Sequence, residues 1–306
     1  MRLAEVREHQ ESRSLAQRTL EYERFLLDRH LAALKTRPIQ RVSAGEVARL
    51  LRGMRDTHST WVQSQVFRVI AGTFAFALRR GIVTRNPVDA LAPSERPSPR
   101  NAKKIRVLDP KEMARLVSAG RSERWRAAVG LAGYAGLRLG EIRGLTWADV
   151  DFGANAIYVR RSLLDDGTPK APKTAAGVRT IPMLPALRRL LAAWKLRSPR
   201  THPTNLVICT ADGSHVLKGN LRRELELAKT KAKLDGGEER LSWHSLRHSF
   251  ASTLATDLEL PATTLARITG HADAGFTLKV YARDGRDEAT VISDVLSRAA
   301  EAKVGS

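Results

Sequence analysis

Arg138 stands between two glycines in the run Ala135-Gly136-Leu137-Arg138-Leu139-Gly140-Glu141-Ile142. Glycine tolerates tight backbone geometry and close approach by a ligand, so this run can set an arginine at the start of a helix, facing a phosphate. A second group, His244-Ser245-Leu246-Arg247, places a histidine and an arginine at i and i+3, on one helical face and within reach of one phosphate. The third is Gly270-His271, with Tyr281 ten residues further on. Alone, the first is also what a structural arginine looks like, and the second is what any basic helix supplies. A phenol has a reference pKa of about 10, so a nucleophilic Tyr281 must lose its proton in a cationic pocket or to a neighbouring base. Of the other tyrosines, Tyr22 falls among N-terminal helices, Tyr134 in an apolar helix and Tyr158 in a strand, which leaves Tyr281 as the one flanked by polar and basic residues.

The elements that must carry these groups are legible from periodicity. Residues 10–90 read as helices: segments at about 15–35 and 44–56, the second entered through Ser43 with Glu46 at capping-box distance, and a third over 66–80. In that third helix Phe67, Ile70, Phe74 and Leu78 are expected to face the core, with Gly81 as the stop. From Ala92 to Lys104 prolines and lysines replace apolar side chains, which reads as a basic, extended linker. Beyond it, Asp109-Pro110 opens a helix and residues 125–134 read as a buried one. Strands are expected over 156–161 and 178–183, rich in β-branched residues and separated by a polar hairpin holding Asp165, Asp166, Gly167 and Lys173. Helices return at about 185–196 and 217–234.

The chain of 306 residues is long enough for two domains, each with its own core. Its formal charge of +20 is spread along it, +8 over residues 1–100 and +12 over 101–306, which suits a protein that wraps a polyanion better than one with a basic tail. Nucleic acid is the leading partner, against a basic surface without function. No apolar run approaches the roughly 18–20 residues of a membrane helix and the start lacks a signal peptide's apolar stretch, so a cytoplasmic location is expected. Cys209 is the sole cysteine; it excludes an internal disulfide or thiol zinc cage and reads as a buried thiol.

In combination and order, these residues resemble the catalytic domain of tyrosine recombinases, the phage-integrase family. Gly136–Glu141 matches its G-L-R-x-G-E box, His244–His248 its H-x-L-R-H box, and Gly270-His271 the G-H box before the tyrosine. The family's hairpin lysine matches Lys173, with Lys170 the competing candidate. Thr19-Leu20-Glu21-Tyr22 and Arg85-Asn86-Pro87 resemble the family's core-binding domain.

The resemblance implies a mostly α protein with a small antiparallel β-sheet: a helical core-binding domain over 1–92, a linker over 93–105 and a catalytic domain over 106–306 with a C-terminal tail helix. It implies strand cleavage and rejoining through a 3′-phosphotyrosyl link, with Tyr281 as nucleophile and Arg138 and Arg247 as a phosphate clamp. Lys173 would act as the acid for the leaving 5′-oxygen, His244 and His271 as phosphate ligands or proton carriers, and Glu141 as a support that orients a neighbour or lies on the helix surface. His248 is expected to pack. Neither a cofactor nor a metal is expected. The implied partners are double-stranded DNA and three further copies in a tetramer, with Val291, Ile292, Val295 and Leu296 docking on a neighbour or on their own domain. Because the chain starts almost at the core-binding helices, no arm-site domain is expected. The rival readings are a type IB topoisomerase and a DNA-binding regulator that has lost catalysis.

Overall fold

Ser43 accepts a hydrogen bond from the Glu46 backbone while Glu46 reaches back to the Ser43 N–H at 2.9 Å, the reciprocal cap the sequence announces. It opens one of the helices of a first compact unit, Met1–Ala102; the second unit is Lys103–Ser306. The computed structural model describes residues 1–11, 17–98, 105–172, 177–236, 239–256 and 267–270. These are mostly helical, with small antiparallel sheets. No helix among them is long and apolar enough to cross a membrane.

The first unit contains α1 (Leu3–Glu11), α2 (Gln17–His30), α3 (Ala32–Lys35), α4 (Ala44–Gly53) and α5 (Thr60–Arg79). Its core forms around α5, and here the expected face is corrected. Val66, Val69, Ile70, Thr73, Phe74 and Ala77 are buried, whereas Leu78 is exposed and Phe67 only flanks the core. At 3.6 residues per turn the buried set forms one stripe, and Phe67 and Leu78 lie about a quarter-turn to one side of it. Gly81 ends the helix region at a φ of +67°, as expected. The supposed linker is also less extended than its composition suggests. Pro93–Glu95 is a 3-10 turn in which Glu95 accepts from the Ala92 N–H at 3.0 Å, and Arg55 donates to the Ser94 carbonyl.

The second unit contains α6 (Pro110–Ala119), α7 (Glu123–Gly133), α8 (Leu139–Gly144), α9 (Pro185–Arg197), α10 (Lys218–Lys231) and α11 (Trp243–Thr256). From Ala127 to Gly133 α7 is buried all round, as a stretch of Ala, Val, Leu and Gly must be; a side chain at Gly133 would lie 2.4 Å from the Met113 sulfur. β1 (Val150–Asp151), β2 (Ala156–Val159) and β5 (Arg179–Pro182) form an antiparallel sheet in the order β1-β2-β5, with Ile157 opposite Ile181. The chain between β2 and β5 is more than a polar hairpin: β3 (Ser162–Leu163) and β4 (Pro169–Lys170) pair as a second ribbon. Arg143, with no exposed surface, secures it by donating to the carbonyls of Leu164 (2.8 Å) and Val216 (2.7 Å). Cys209 is buried.

Candidate active site

After α7 the chain must turn sharply beneath α11. Gly136 makes the turn at a φ of +63°, and a side chain there would lie 2.3 Å from the Phe250 ring. Only glycine meets both demands without strain. The turn delivers Arg138 to the N-cap of α8 in extended conformation, its N–H held at 2.8 Å by Glu141. Gly140 serves packing: its Cα faces the Leu163 carbonyl, which an added Cβ would meet at 3.2 Å, so β3 occupies the space the sequence left open for a ligand.

Arg138, His244 and Arg247 come together around one cleft of 590 Å³, which Arg222 and Arg240 also line. Arg138 is half exposed. It donates Nη1 to Glu141 at 2.9 Å and Nη2 to the Gly270 carbonyl at 3.0 Å. Of the five N–H groups of a guanidinium, Nε–H and the second hydrogens of both Nη remain for an incoming anion among the described contacts. Arg247 is buried and donates Nη1 to the Gly136 carbonyl at 2.6 Å and Nη2 to the Thr269 carbonyl.

His244 stands in the first turn of α11 and lines the cleft. Burial, followed by the positive charge of His248, Arg247 and Arg138, pulls its pKa down to about 4. It is therefore a neutral imidazole at physiological pH, able both to donate and to accept a hydrogen bond. His248 packs edge-on against it at 4.4 Å.

A second cleft of 410 Å³ lies on the other side of Arg138, lined by the basic residues Arg161, Lys170 and Lys218 together with Glu141 and Gly270. Lys170, on β4, thus shares the lining of this cleft with Arg138. Lys173, His271, Tyr281 and the 291–296 stripe lie outside the described residues. None of the three described tyrosines lines either cleft. Tyr22 stacks among Phe25 and Trp61, burial raises the pKa of Tyr134, and Tyr158 lies under the Arg160 guanidinium.

Glu141 is not a helix-surface carboxylate. It is buried and, besides Arg138, binds Arg179 through both oxygens, at 3.1 and 2.8 Å. Burial pushes its carboxyl pKa up, but the Arg179 and Arg138 bonds outweigh burial and hold it below the ordinary range. Arg179, which the sequence places only in a strand, is thus part of the site's framework. Arg222 and Arg240 likewise carry no sequence signal beyond basic charge.

The α+β unit thus turns arginines and a neutral histidine toward one basic cleft. The chain belongs to the phage integrase family, whose model matches residues 106–287. It is 24% identical over 229 residues to a XerC-like tyrosine recombinase of Caldanaerobacter subterraneus subsp. tengcongensis, covering 68% of this chain and 58% of the relative. The chain spans about half the length of the curated relatives it matches. Its fold is similar to that of the Tn1549 transposon integrase fragment solved with circular intermediate DNA, with a TM-score of 0.80 at 20% identity over 97% of this chain and 99% of the other. It is also similar to the lambda integrase tetramer bound to a Holliday junction, with a TM-score of 0.68 at 18% identity over 89% of this chain and 76% of the other.

Proposed function

We propose that the chain is a tyrosine-type site-specific DNA recombinase that cleaves and rejoins strands through a 3′-phosphotyrosyl intermediate. The observation that carries this reading is the convergence of Arg138, His244 and Arg247, from segments more than a hundred residues apart, on one cleft of a phage-integrase family member. Arg138 and Arg247 hold the non-bridging oxygens of the scissile phosphate and stabilise the charge that builds on them. The Tyr281 oxygen attacks phosphorus as the bond to the 5′-oxygen breaks, and Lys173 supplies a proton to that oxygen. His244 and His271 hydrogen-bond the phosphate or take the proton of Tyr281. The hydroxyl of a partner strand then attacks the phosphotyrosyl ester and frees the tyrosine. Because the ester keeps the energy of the broken bond, neither ATP nor a metal enters the cycle.

The substrate is double-stranded DNA, in keeping with the +20 charge and with the DNA in the solved relatives. Strand exchange requires four active sites, and the tetrameric lambda integrase supports a tetramer here. Residues 1–92 serve as the core-binding domain, 93–105 as the linker and 106–306 as the catalytic domain, acting in the cytoplasm. A plasmid carrying two copies of the junction sequence that flanks the gene tests this. Recombinant circles from the parent and none from Tyr281→Phe are expected. Relaxation without exchange would make the chain a topoisomerase, and binding without nicking a silent regulator.

A further inference from the structure

Three consecutive carbonyl oxygens each accept a hydrogen bond from a different arginine. Arg179 Nε binds that of Ile268 at 2.9 Å, Arg247 Nη2 that of Thr269, and Arg138 Nη2 that of Gly270 at 3.0 Å. These are the three residues immediately before His271. Two of the arginines are also joined through Glu141, which binds the Arg138 guanidinium by one oxygen, the Arg138 backbone N–H by the other, and the Arg179 guanidinium by both. The members are not equivalent. The side chain of Arg138 is 44% exposed and can turn to an anion; that of Arg179 is 3% exposed, sealed behind Glu141 at the start of β5. Unlike Arg247, which is as buried but lines the first cleft, Arg179 lines neither of the two clefts. A planar guanidinium that meets a carboxylate with two nitrogens and a carbonyl with a third fixes angles as well as distances.

We propose that Arg179 is a positioning residue of the recombinase reaction: it locks Glu141, and through it Arg138, against the 268–270 backbone so that the phosphate clamp is assembled before DNA arrives. Arg179 touches no reacting atom. Its action is to deny Arg138 and the neighbouring backbone the freedom that would otherwise be lost at each turnover, and an ångström of misplacement in such a site costs on the order of 100-fold in rate. The inference rests on the recombinase reading for its effect on rate, but not for its effect on the backbone.

The test uses Arg179→Lys, which keeps the charge but presents a single ammonium, and Arg179→Gln in case the lysine variant does not fold. The probe is a nicked duplex of the gene-flanking junction. At saturating duplex, single-turnover formation of the covalent complex is expected to fall roughly 10- to 100-fold, with duplex affinity within about twofold of the parent. On an Arg138→Lys background the same change is expected to cost much less, because both act through one clamp. Separately, without DNA, amide hydrogen exchange at Thr269 and Gly270 is expected to quicken in Arg179→Lys while α7 and α9 exchange as in the parent. Parent-like rate and exchange would overturn the proposal, as would a full, additive penalty on the Arg138→Lys background. If the parent itself forms no covalent complex, the recombinase reading fails, and the exchange result alone decides whether Arg179 positions this backbone.

Discussion

Removing the carboxylate at the centre of the arginine framework is expected to destabilise the second unit far more than removing a surface ion pair. In Glu141→Ala, the buried Arg179 guanidinium loses both bonds of its carboxylate partner, at 3.1 and 2.8 Å. Stranding one partner of a buried pair costs about 3–5 kcal/mol. Two features favour the lower end: Arg179 keeps the carbonyls of Ile268 and Gly177 as acceptors, and the half-exposed Arg138 can turn to water. About 3 kcal/mol in a unit of this size corresponds to a Tm lowered by about 6–12 °C. Tryptophan fluorescence reads the right unit, since Trp125, Trp147, Trp194 and Trp243 all lie in it. Arg197→Ala, which breaks an exposed pair with Glu123, is the control and should move Tm by less than about 3 °C. A Glu141→Ala protein that melts within 2 °C or so of the parent would refute the reasoning, because the pair would then contribute nothing that its carbonyl neighbours do not replace.

Gly136→Ala is expected to cost about 2–5 kcal/mol in urea unfolding, since the new Cβ meets Phe250 at a φ of +63°; a neutral result would mean the turn is not built as described. His244 has a native pKa of about 4 against 6.5 unperturbed, so between those values the unfolded chain takes up a proton that the native unit refuses. Stability should therefore decline as pH falls from about 6.5 to 4, and the decline should be shallower in His244→Ala, measured by denaturant midpoint across that range; an identical slope would contradict the shift. If Lys173 protonates the leaving oxygen, Lys173→Ala should slow cleavage by about 10²–10⁴-fold. A sulfur leaving group, which needs no acid, should restore the rate, while Lys170→Ala should depend little on that replacement. Rescue confined to Lys170→Ala would move the role to the lysine on β4.

What the sequence revealed was local. The Ser43 and Asp109 caps bond three residues ahead, and β2 and β5 declare themselves by Ile157, Val159, Thr180 and Ile181. Arg138, His244 and Arg247, which share one cleft, were legible because their motifs are compact. What escaped was made by long-range contact. β3 and β4 are two residues each, too short for a period, and β3 lies against the bare surfaces of Gly140 and Gly144. The core face of α5 is ambiguous in the sequence because apolar side chains cover more than one side of that helix, and only its neighbours decide which stripe is buried. Arg179 reads as one more basic strand residue until the fold brings it to Glu141 and to Ile268, 38 and 89 positions away.

The identity of the atom that becomes joined to DNA decides whether Tyr281 is the nucleophile. The protein is incubated with the nicked junction duplex, the covalent complex is isolated and digested with protease and nuclease, and the modified peptide is sequenced by mass spectrometry. A 3′-phosphate ester on Tyr281, a free 5′-hydroxyl on the released strand, and no adduct from Tyr281→Phe are expected. An adduct on any other residue, a 5′-linked one, or an undiminished yield from Tyr281→Phe would contradict the proposed mechanism.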